Sequence, residues 1–209
     1  MRVLGIDEAG RGCVLGDLVV GAFVIEDPDE QVLRDLGVKD SKQLSANRRR
    51  DIRAKLKAYG TEDTRVIDAP TIDTGNLNEL EEIAVVDLVK AHQPDLVLID
   101  ALGHPSTIPG LVERLRQRTG VTAQWDMRPK ADQIYPVVGA ASIVAKTTRD
   151  ARLALYQVAY PDFGSGYPSD PKTRAWLEGL AVEHLRWPPF VRTRWGTIRD
   201  LEQRYREES

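Results

Sequence analysis

The 209-residue sequence contains only one cysteine, Cys13, and only three histidines. A single cysteine excludes an intramolecular disulfide and a cysteine-based zinc site. The histidines, His92, His104 and His184, lie far apart and show no spacing typical of metal ligands. No apolar run approaches the roughly 18 residues of a membrane span, and the opening MRVLGID is too short and too quickly acidic for a signal peptide. We therefore expect a cytoplasmic protein with no membrane partner.

An excess of either charge is also missing, because 29 lysines and arginines are set against 32 acidic residues and the net charge is −3 at pH 7. The overall charge therefore does not indicate a nucleic-acid partner. Cations are concentrated in two segments, 47–57 and 186–195, and aromatic residues interrupt the second. Each segment is either a solvated face or a nucleic-acid contact, and the local sequence does not decide between them.

Apolar runs at the front of the chain, followed by alternating helical and extended patterns, predict an α/β protein. RVLGID and residues 17–25 form an expected hairpin, and a helix capped by Ser45 follows. Further strands are expected near 64–67, 95–100 and 121–127, and further helices at 77–91, 108–118 and 139–159. Two of these helices have predicted inward faces. In the helix at 77–91 the inward residues are Leu77, Leu80, Ile83, Ala84, Leu88 and Ala91, and in the helix at 139–159 they are Ile143, Val144, Ala151, Leu155 and Val158.

The end of the chain has a different pattern, in which glycine and proline interrupt the segment before residue 170. Asp170 is a predicted helix cap with Pro171 at the first helical position, and a last amphipathic helix is expected at 197–206. With 42% hydrophobic residues, the chain is long enough for one sizeable core and a small appendage. We predict a mixed β-sheet flanked by helices, with a C-terminal helical subdomain.

Acidic residues stand at the C-terminal ends of two predicted strands. VLGID ends in Asp7, which Glu8 follows, and LVLID ends in Asp100. A single such acid is most often the first solvated residue of a loop. In open α/β sheets, however, ligands collect outside the carboxyl ends of strands, so neighbouring strands would bring Asp7 and Asp100 together. Acids without histidine or cysteine favour Mg²⁺ or Mn²⁺ over zinc, and two such ions suit in-line phosphoryl displacement.

Glycines flank an arginine directly after the first acids. Their positions, Gly10, Gly12 and Gly16, do not follow the dinucleotide-binding spacing, and the preceding acids would repel a pyrophosphate. Glycines around Arg11 would allow the backbone to approach a sugar or phosphate closely. A plain hairpin turn with a solvated arginine fits the local sequence equally well.

Five motifs together resemble one family. They are GIDEAGRG at the N-terminus, DSKQLS at 40–45, LIDALG around Asp100, KADQIYPVVGAASIVAKTTRD at 130–150, and GSGYPSDPKTRAWL at 164–177. Nearly the whole chain resembles ribonuclease HII, ribonuclease H type 2, in the form of the archaeal enzymes and of the eukaryotic catalytic subunit. The resemblance implies a ribonuclease H-like catalytic domain at 1–163 and a substrate-contacting helical subdomain at 164–209.

The resemblance also implies four metal-binding carboxylates, which are Asp7, Glu8, Asp100 and Asp132. Asp132 comes from the family pattern alone, and Asp150 is the alternative in the same motif. Mg²⁺ or Mn²⁺ would be the cofactor, with two ions in the reactive complex.

Substrate contacts are implied in the same way. Gly10, Arg11 and Gly12 match the loop that meets the ribose 2′-hydroxyl and adjoining phosphate, and Tyr167 matches the tyrosine that assists it. Phosphate contacts are expected from Lys42, Lys146 and Arg149.

The sequence departs from the family pattern at two positions, because Cys13 and Asp17 stand where such sequences usually carry proline. These changes would loosen the turn but remove no implied ligand. We expect a monomeric metal-dependent endoribonuclease that cuts RNA·DNA hybrids and single ribonucleotides in duplex DNA. A nucleotidyltransferase would need a nucleotide-binding signature that is not found, and a silent hybrid-binding module would normally lack an essential acid.

Overall fold

The computed structural model describes residues 1–26, 30–38, 44–101 and 105–205. Within them, one mixed sheet has the strand order β3-β2-β1-β4-β5. The strands are β1 (Val3–Ala9), β2 (Leu18–Ile25), β3 (Thr61–Ile67), β4 (Leu96–Asp100) and β5 (Gln124–Arg128). β1 pairs antiparallel with β2 and parallel with β4, which pairs parallel with β5. The predicted hairpin and mixed sheet are confirmed, although β5 begins later than expected.

The described residues also form helices before, between and after the strands in the sequence. They are α1 (Gln31–Asp35), α2 (Ala46–Leu56), α3 (Ala69–Thr74), α4 (Leu77–His92), α5 (Ile108–Thr119), α6 (Ala131–Ile134), α7 (Pro136–Ala159), α8 (Pro171–Val182) and α9 (Gly196–Tyr205). The helical C-terminal region is confirmed. The sequence did not predict α1, α3 and α6, because so few residues show no helical period. Among the described helices, none is both long and apolar enough to cross a membrane.

Helix α7 packs against β1 and β2 at close range, and two glycines make this possible. A Cβ on Gly5 of β1 would lie 2.5 Å from the carbonyl oxygen of Val137, and one on Gly21 of β2 would lie 2.7 Å from that of Ala141. Any larger residue would push the helix away from the sheet. The glycines therefore bring the side chains of α7 close to the strand that carries the first acids.

The inward faces of two helices differ from the prediction. In α7, Leu155 is 69% and Val158 is 85% exposed, and Ala151 is exposed as well. The helix instead buries Leu153, while Arg149 next to it is also buried because it has polar partners inside the protein. A hydrophobicity pattern cannot predict that an arginine faces inward, so the predicted face was wrong in this half of the helix.

In α4, Ile83 and Ala91 are exposed, whereas the prediction placed them inside. The buried residues are Glu81, Ala84, Val85, Val86, Leu88 and Val89. Because Val85 and Val86, and then Leu88 and Val89, are buried as adjacent pairs, the apolar stripe is wider than the spacing of three and four indicated.

The chain forms two compact units. The first comprises Met1–Ala9, Val19–Val66 and Leu77–Thr148, and the second comprises Gly10–Leu18, Ile67–Asn76 and Arg149–Ser209. The first has a core of β1, β2, β4 and the N-terminal half of α7, with Phe23 and Val138 fully buried in it. The second has an aromatic core around Phe163 and Phe190. The second unit includes the expected subdomain at 164–209 together with earlier segments, and a catalytic domain at 1–163 stays a prediction.

Candidate active site

Three carboxylates converge within the first unit. Asp7, Asp100 and Asp132 each offer one oxygen, and these oxygens all lie within 4.8 Å of one another. Ile6 of β1 pairs in register with Ile99 of β4, so the parallel strands place Asp7 and Asp100 side by side. The sequence predicted this pair from the two strand ends, and the family pattern supplied the third acid.

Asp132 reaches the cluster through the start of α6. Lys130, just before the helix, has a left-handed backbone with φ 60°, which turns the chain after β5. The amide of Ala131 then donates to Oδ1 of Asp100 over 3.2 Å, and the same oxygen accepts from Ala101 over 3.0 Å. Asp100 therefore fixes the backbone beside Asp132, whose side chain is only 1% exposed.

Burial dominates the electrostatics of this cluster. It raises the pKa of Asp7 to about 6; a hydrogen bond from Ser142 opposes that rise, and the charge of Asp100 adds to it. The charge of Lys146 and the amide of Glu8 lower the pKa. Negative charge is thus costly at Asp7 in the protein alone, and a nearby cation would remove that cost.

Ser142 is a site residue that the sequence analysis missed. It is fully buried, it bonds Asp7, and its hydroxyl oxygen accepts from Lys146 Nζ over 2.7 Å. Both residues belong to α7, four positions apart, so they lie on the same helix face. That spacing of a serine and a lysine inside an apolar helix was the available signal. Lys146, predicted as a phosphate contact, lies beside Asp7 and bonds Ser142.

Two other predicted or alternative ligands are not in this group of three. Glu8 directly follows Asp7 in β1 and does not belong to the group of three. Asp150 is absent as well and lies 4.0 Å from Nη1 of Arg149 in the second unit. Glu8 as a fourth ligand stays a prediction.

The donor set of the cluster fits a hard divalent cation. All three members are carboxylates, and neither histidine nor cysteine belongs to this group. Mg²⁺ and Mn²⁺ prefer oxygen ligands, whereas zinc in proteins favours nitrogen and sulfur. Buried carboxylates also need compensation by opposite charge. Asp7, Asp100 and Asp132 are therefore the residues that would hold the metal.

The glycines after the first acids belong to the second unit, in the segment 10–17, which we call the glycine turn. Gly10 has φ +89°, and a Cβ there would lie 2.6 Å from the carbonyl oxygen of Asp17 and 2.8 Å from Nε of Arg149. Position 10 therefore requires glycine for both conformation and space. Gly12 is exposed, and a Cβ there would meet nothing within 4 Å. The fold alone does not require glycine at position 12.

Arg149 connects the glycine turn with Tyr167. Its Nη2 donates to Sγ of Cys13 over 3.0 Å and to the carbonyl oxygen of Ser165 over 2.8 Å. Its guanidinium carbon lies 5.3 Å from the centroid of the Tyr167 ring. These contacts orient Arg149 within the protein rather than towards solvent. Lys42, the other expected phosphate contact, lies outside the described residues.

Tyr167 keeps part of its ring accessible, with 41% of the residue exposed. Burial of the rest raises the pKa of its hydroxyl, and the nearby Cys13 adds to that rise by charge and by a hydrogen bond. Arg149 opposes it. Tyr167 is therefore partly exposed while its ring makes a cation–π contact with Arg149.

Arg192 is a second arginine that is hydrogen-bonded to the glycine turn, and the sequence analysis did not predict this contact. It is fully buried, and it donates to the carbonyl oxygens of Gly16 over 2.9 Å and of Arg11 over 3.0 Å. Burial lowers the pKa of its guanidinium to about 10. The guanidinium carbon also lies 4.9 Å from the ring centroid of Trp195. The aromatic residues around it in the sequence were the only signal that this cation is inside.

Known proteins resemble this chain in both sequence and fold. A family model described as Ribonuclease HII matches residues 4–198. The ribonuclease HII of Pyrococcus furiosus is 41% identical over 209 residues, covering 97% of this chain and 92% of that protein. The ribonuclease H2 of Pyrococcus horikoshii OT3 superimposes with a TM-score of 0.89 at 38% identity, covering 99% of this chain and 100% of that one.

A more distant structure has the same fold. Bst ribonuclease HIII in complex with Mn²⁺ has a TM-score of 0.75 at 20% identity, covering 99% of this chain and 71% of that one. The expected ribonuclease H-like fold is confirmed.

Proposed function

The chain belongs to the ribonuclease HII family and is an endoribonuclease of the ribonuclease H type, and we propose that it cuts single ribonucleotides embedded in duplex DNA as well as RNA·DNA hybrids. Cleavage leaves 5′-phosphate and 3′-hydroxyl ends. The observation that supports this proposal most strongly is the convergence of three buried or half-buried carboxylates within 4.8 Å.

Metal binding is the first part of the proposal. When bound, Mg²⁺ or Mn²⁺, as two ions in the reactive complex, supplies the Lewis acid that activates water and stabilises the leaving 3′-oxygen. Asp7, Asp100 and Asp132 would hold the metal, and Glu8 would add a fourth carboxylate from the strand end. The family is metal-dependent, and the carboxylate donor set is the reason to choose these two metals.

The residues around the cluster control the orientation and charge of the ligands. Ser142 bonds the Asp7 carboxylate and accepts from Lys146, so the three side chains form one chain of contacts. Asp100 is oriented by the amides of Ala101 and Ala131. A carboxylate held by two amides cannot rotate freely, which is the condition for precise positioning of a water molecule and a phosphate.

Recognition of ribose is the second part. Phosphates are alike in RNA and DNA, so discrimination requires contact with the 2′-hydroxyl. We assign that contact to the backbone of Gly10, Arg11 and Gly12, assisted by Tyr167. The open space at Gly12 supports this assignment, because the protein itself does not use it. Tyr167 offers an exposed ring face that packs against the neighbouring sugar.

Contacts with the phosphate backbone complete the proposal. Lys42, Lys146 and Arg149 were expected to supply them, and Lys146 acts from beside Asp7. Arg149 contributes only if it gives up some of its contacts with Cys13, Ser165 and Tyr167, and Lys146 only if it gives up its bond to Ser142. We further propose that the enzyme works as a monomer in the cytoplasm.

The decisive experiment is a cleavage assay on a DNA duplex that contains one ribonucleotide. We expect a single cut in the presence of Mg²⁺ or Mn²⁺ and none in EDTA, with the end groups identified by ligation and by phosphatase treatment. An all-DNA duplex of the same sequence is the matched control, and a continuous RNA·DNA hybrid is the comparison substrate. Cleavage of the hybrid but not of the embedded ribonucleotide would contradict the wider substrate range.

Metal binding needs a test that does not depend on cleavage. Titration of Mn²⁺ followed by electron paramagnetic resonance counts bound ions in the parental protein and in Asp132→Asn. We expect weaker binding in the variant. Parental binding that Asp132→Asn leaves unchanged would remove Asp132 from the ligand set.

A further inference from the structure

Two residues of the glycine turn, Cys13 and Asp17, contact helix α7 through their side chains. They stand near either end of the turn. Their partners on α7 are Arg149, Arg152 and Tyr156, which follow one another at intervals of three and four residues. This spacing places the three partners on one face of the helix.

The carboxylate of Asp17 makes the first of the two contacts with α7. The residue is only 2% exposed, and its side chain pairs with Nε of Arg152. The hydroxyl of Tyr156 donates to Oδ1 over 3.1 Å and also lies 3.3 Å from Oδ2. The carbonyl oxygen of Asp17 is the atom that a side chain at Gly10 would strike first. The position of Asp17 therefore limits the space at the residue that opens the turn.

The thiol of Cys13 provides the second contact. It is fully buried and accepts from Nη2 of Arg149 over 3.0 Å. The same nitrogen donates to Ser165, and the same guanidinium faces the ring of Tyr167. Since Arg149 also lies 2.8 Å from where a Cβ of Gly10 would be, it touches both ends of the proposed ribose-binding surface.

We propose that Cys13 and Asp17 are positioning residues, which hold the glycine turn on α7 by hydrogen bonds and thereby fix Gly10 and Tyr167 for ribose recognition. The functional half of this inference rests on the proposed function, whereas the structural half does not. A proline at either position would restrict the backbone only locally, at its own φ angle and at the preceding residue. A bond between side chains joins the turn to a helix more than 130 residues away, with separations of 135 between Arg152 and Asp17 and 136 between Arg149 and Cys13.

The glycine turn should therefore loosen when these side-chain contacts with α7 are removed. Both contacts involve a charged arginine, but Asp17 carries the opposite charge and also accepts from the Tyr156 hydroxyl, whereas Cys13 offers only a neutral thiol. Asp17→Asn should therefore have a larger effect than Cys13→Ala. Cys13→Ser keeps an acceptor for Arg149 and should retain more of the parental behaviour than Cys13→Ala.

Hydrogen–deuterium exchange tests the structural half directly. We expect exchange in peptides that cover residues 10–17 to rise about tenfold in Asp17→Asn, with a smaller rise in Cys13→Ala. The matched control is Glu178→Gln, because Glu178 also contacts an arginine and a tyrosine, Arg204 at 3.7 Å and the Tyr205 hydroxyl at 2.8 Å. This control should leave exchange at 10–17 unchanged. Equal exchange in all three variants and the parental protein would overturn the proposal.

Kinetics test the functional half. On a duplex with one embedded ribonucleotide, Asp17→Asn and Arg152→Gln should each lower kcat/KM about tenfold, and the double variant should lose little more than either one. A residue that only supported stability would lower the melting temperature and leave kcat and KM at 25 °C unchanged. That result, or fully additive losses, would reject a positioning role.

The two readouts separate the two proposals. If the parental protein cuts no ribonucleotide-containing duplex, the proposed substrate range is wrong, and exchange at 10–17 still decides whether Cys13 and Asp17 hold the turn. If exchange rises but cleavage of the embedded ribonucleotide is unchanged, the contacts are real and positioning for ribose recognition is wrong.

Discussion

The acid cluster and the glycine turn are fixed in different ways. Asp7 and Asp100 are aligned by the pairing of two parallel strands, and the backbone beside Asp132 is held by a hydrogen bond from the Ala131 amide to Asp100. The turn is held by the buried side chains of Arg149 and Arg192 instead. Substitutions in the cluster should therefore remove chemistry and leave the fold, whereas substitutions in the turn should change its structure.

The largest effect is expected in the acid cluster. Asp7→Asn, Asp100→Asn and Asp132→Asn should each lower cleavage by more than about a hundredfold, because loss of even an outer partner of a metal ligand costs 10- to 100-fold. Steady-state cleavage with saturating Mg²⁺ and circular dichroism measure activity and fold together. The matched control is Asp150→Asn, which changes an acid outside the cluster. An active Asp132→Asn and an inactive Asp150→Asn would show that the wrong acid was chosen.

Within the turn, substitution of Gly10 and of Gly12 should change the free energy of unfolding by very different amounts. Gly10→Ala must adopt a left-handed backbone and displace Asp17 or Arg149, which should lower the free energy of unfolding by about 3 kcal/mol. Gly12→Ala should change it by less than about 0.5 kcal/mol but should impair cleavage at an embedded ribonucleotide. Urea denaturation provides the stability comparison. Equal stability losses in both variants would contradict the described geometry.

Removing charge from the cluster should stabilise the protein when metal is removed. Burial raises the pKa of Asp7 to about 6, so the folded state binds a proton more tightly than the unfolded state and stability falls as pH rises from 4 to 6. Asp7→Asn in EDTA should therefore gain up to about 2–3 kcal/mol near pH 7.5 and nothing below pH 4. Thermal denaturation across this range measures the gain.

Asp63 is a control, because its pKa is shifted in the opposite direction to that of Asp7. Burial alone would raise the pKa of Asp63, but bonds from His92, the Thr64 amide and Arg65 lower it overall. Asp63→Asn should therefore destabilise the protein at neutral pH and have little effect once the pH falls below the lowered pKa. A stability gain in both variants would indicate a general charge effect rather than burial at Asp7.

The smallest expected effect concerns the hydroxyl of Tyr167. Tyr167→Phe keeps the ring over which Arg149 lies, so kcat/KM on an embedded ribonucleotide should fall about three- to tenfold, the worth of one neutral hydrogen bond. Tyr167→Ala removes ring and hydroxyl and should lose more. Paired kinetics on embedded and continuous ribonucleotides measure both. A normally folded Tyr167→Ala that cuts both substrates at the parental rate would reject tyrosine-assisted ribose recognition.

The sequence predicted those features that depend on local pattern. The strand ends gave Asp7 and Asp100, and the caps at Ser45 and Asp170 are present as expected, with the Ser45 hydroxyl accepting from Arg48 and the Asp170 carboxylate from Lys172. These features need only a few neighbouring residues, which is why a single sequence shows them.

Features that depend on distant partners were not predicted. Arg149 and Arg192 can be buried because a thiol and carbonyl oxygens from distant parts of the sequence accept their hydrogen bonds. A hydrophobicity pattern assigns such arginines to the surface, so the inner face of α7 was placed on Leu155 and Val158 instead. Asp132 was likewise predicted only from the family resemblance, because its helix is too short to show a helical period.

The second unit also implies an order of events during synthesis. Its parts are 10–18, 67–76 and 149–209, and Arg192 bonds Arg11 across a separation of 181 residues. Asp73 similarly accepts from Thr193, across 120 residues. Loops of this length close slowly, and nascent chains fold their early parts first. The glycine turn, although made among the first residues, therefore reaches its final conformation only after residues 190–193 have left the ribosome.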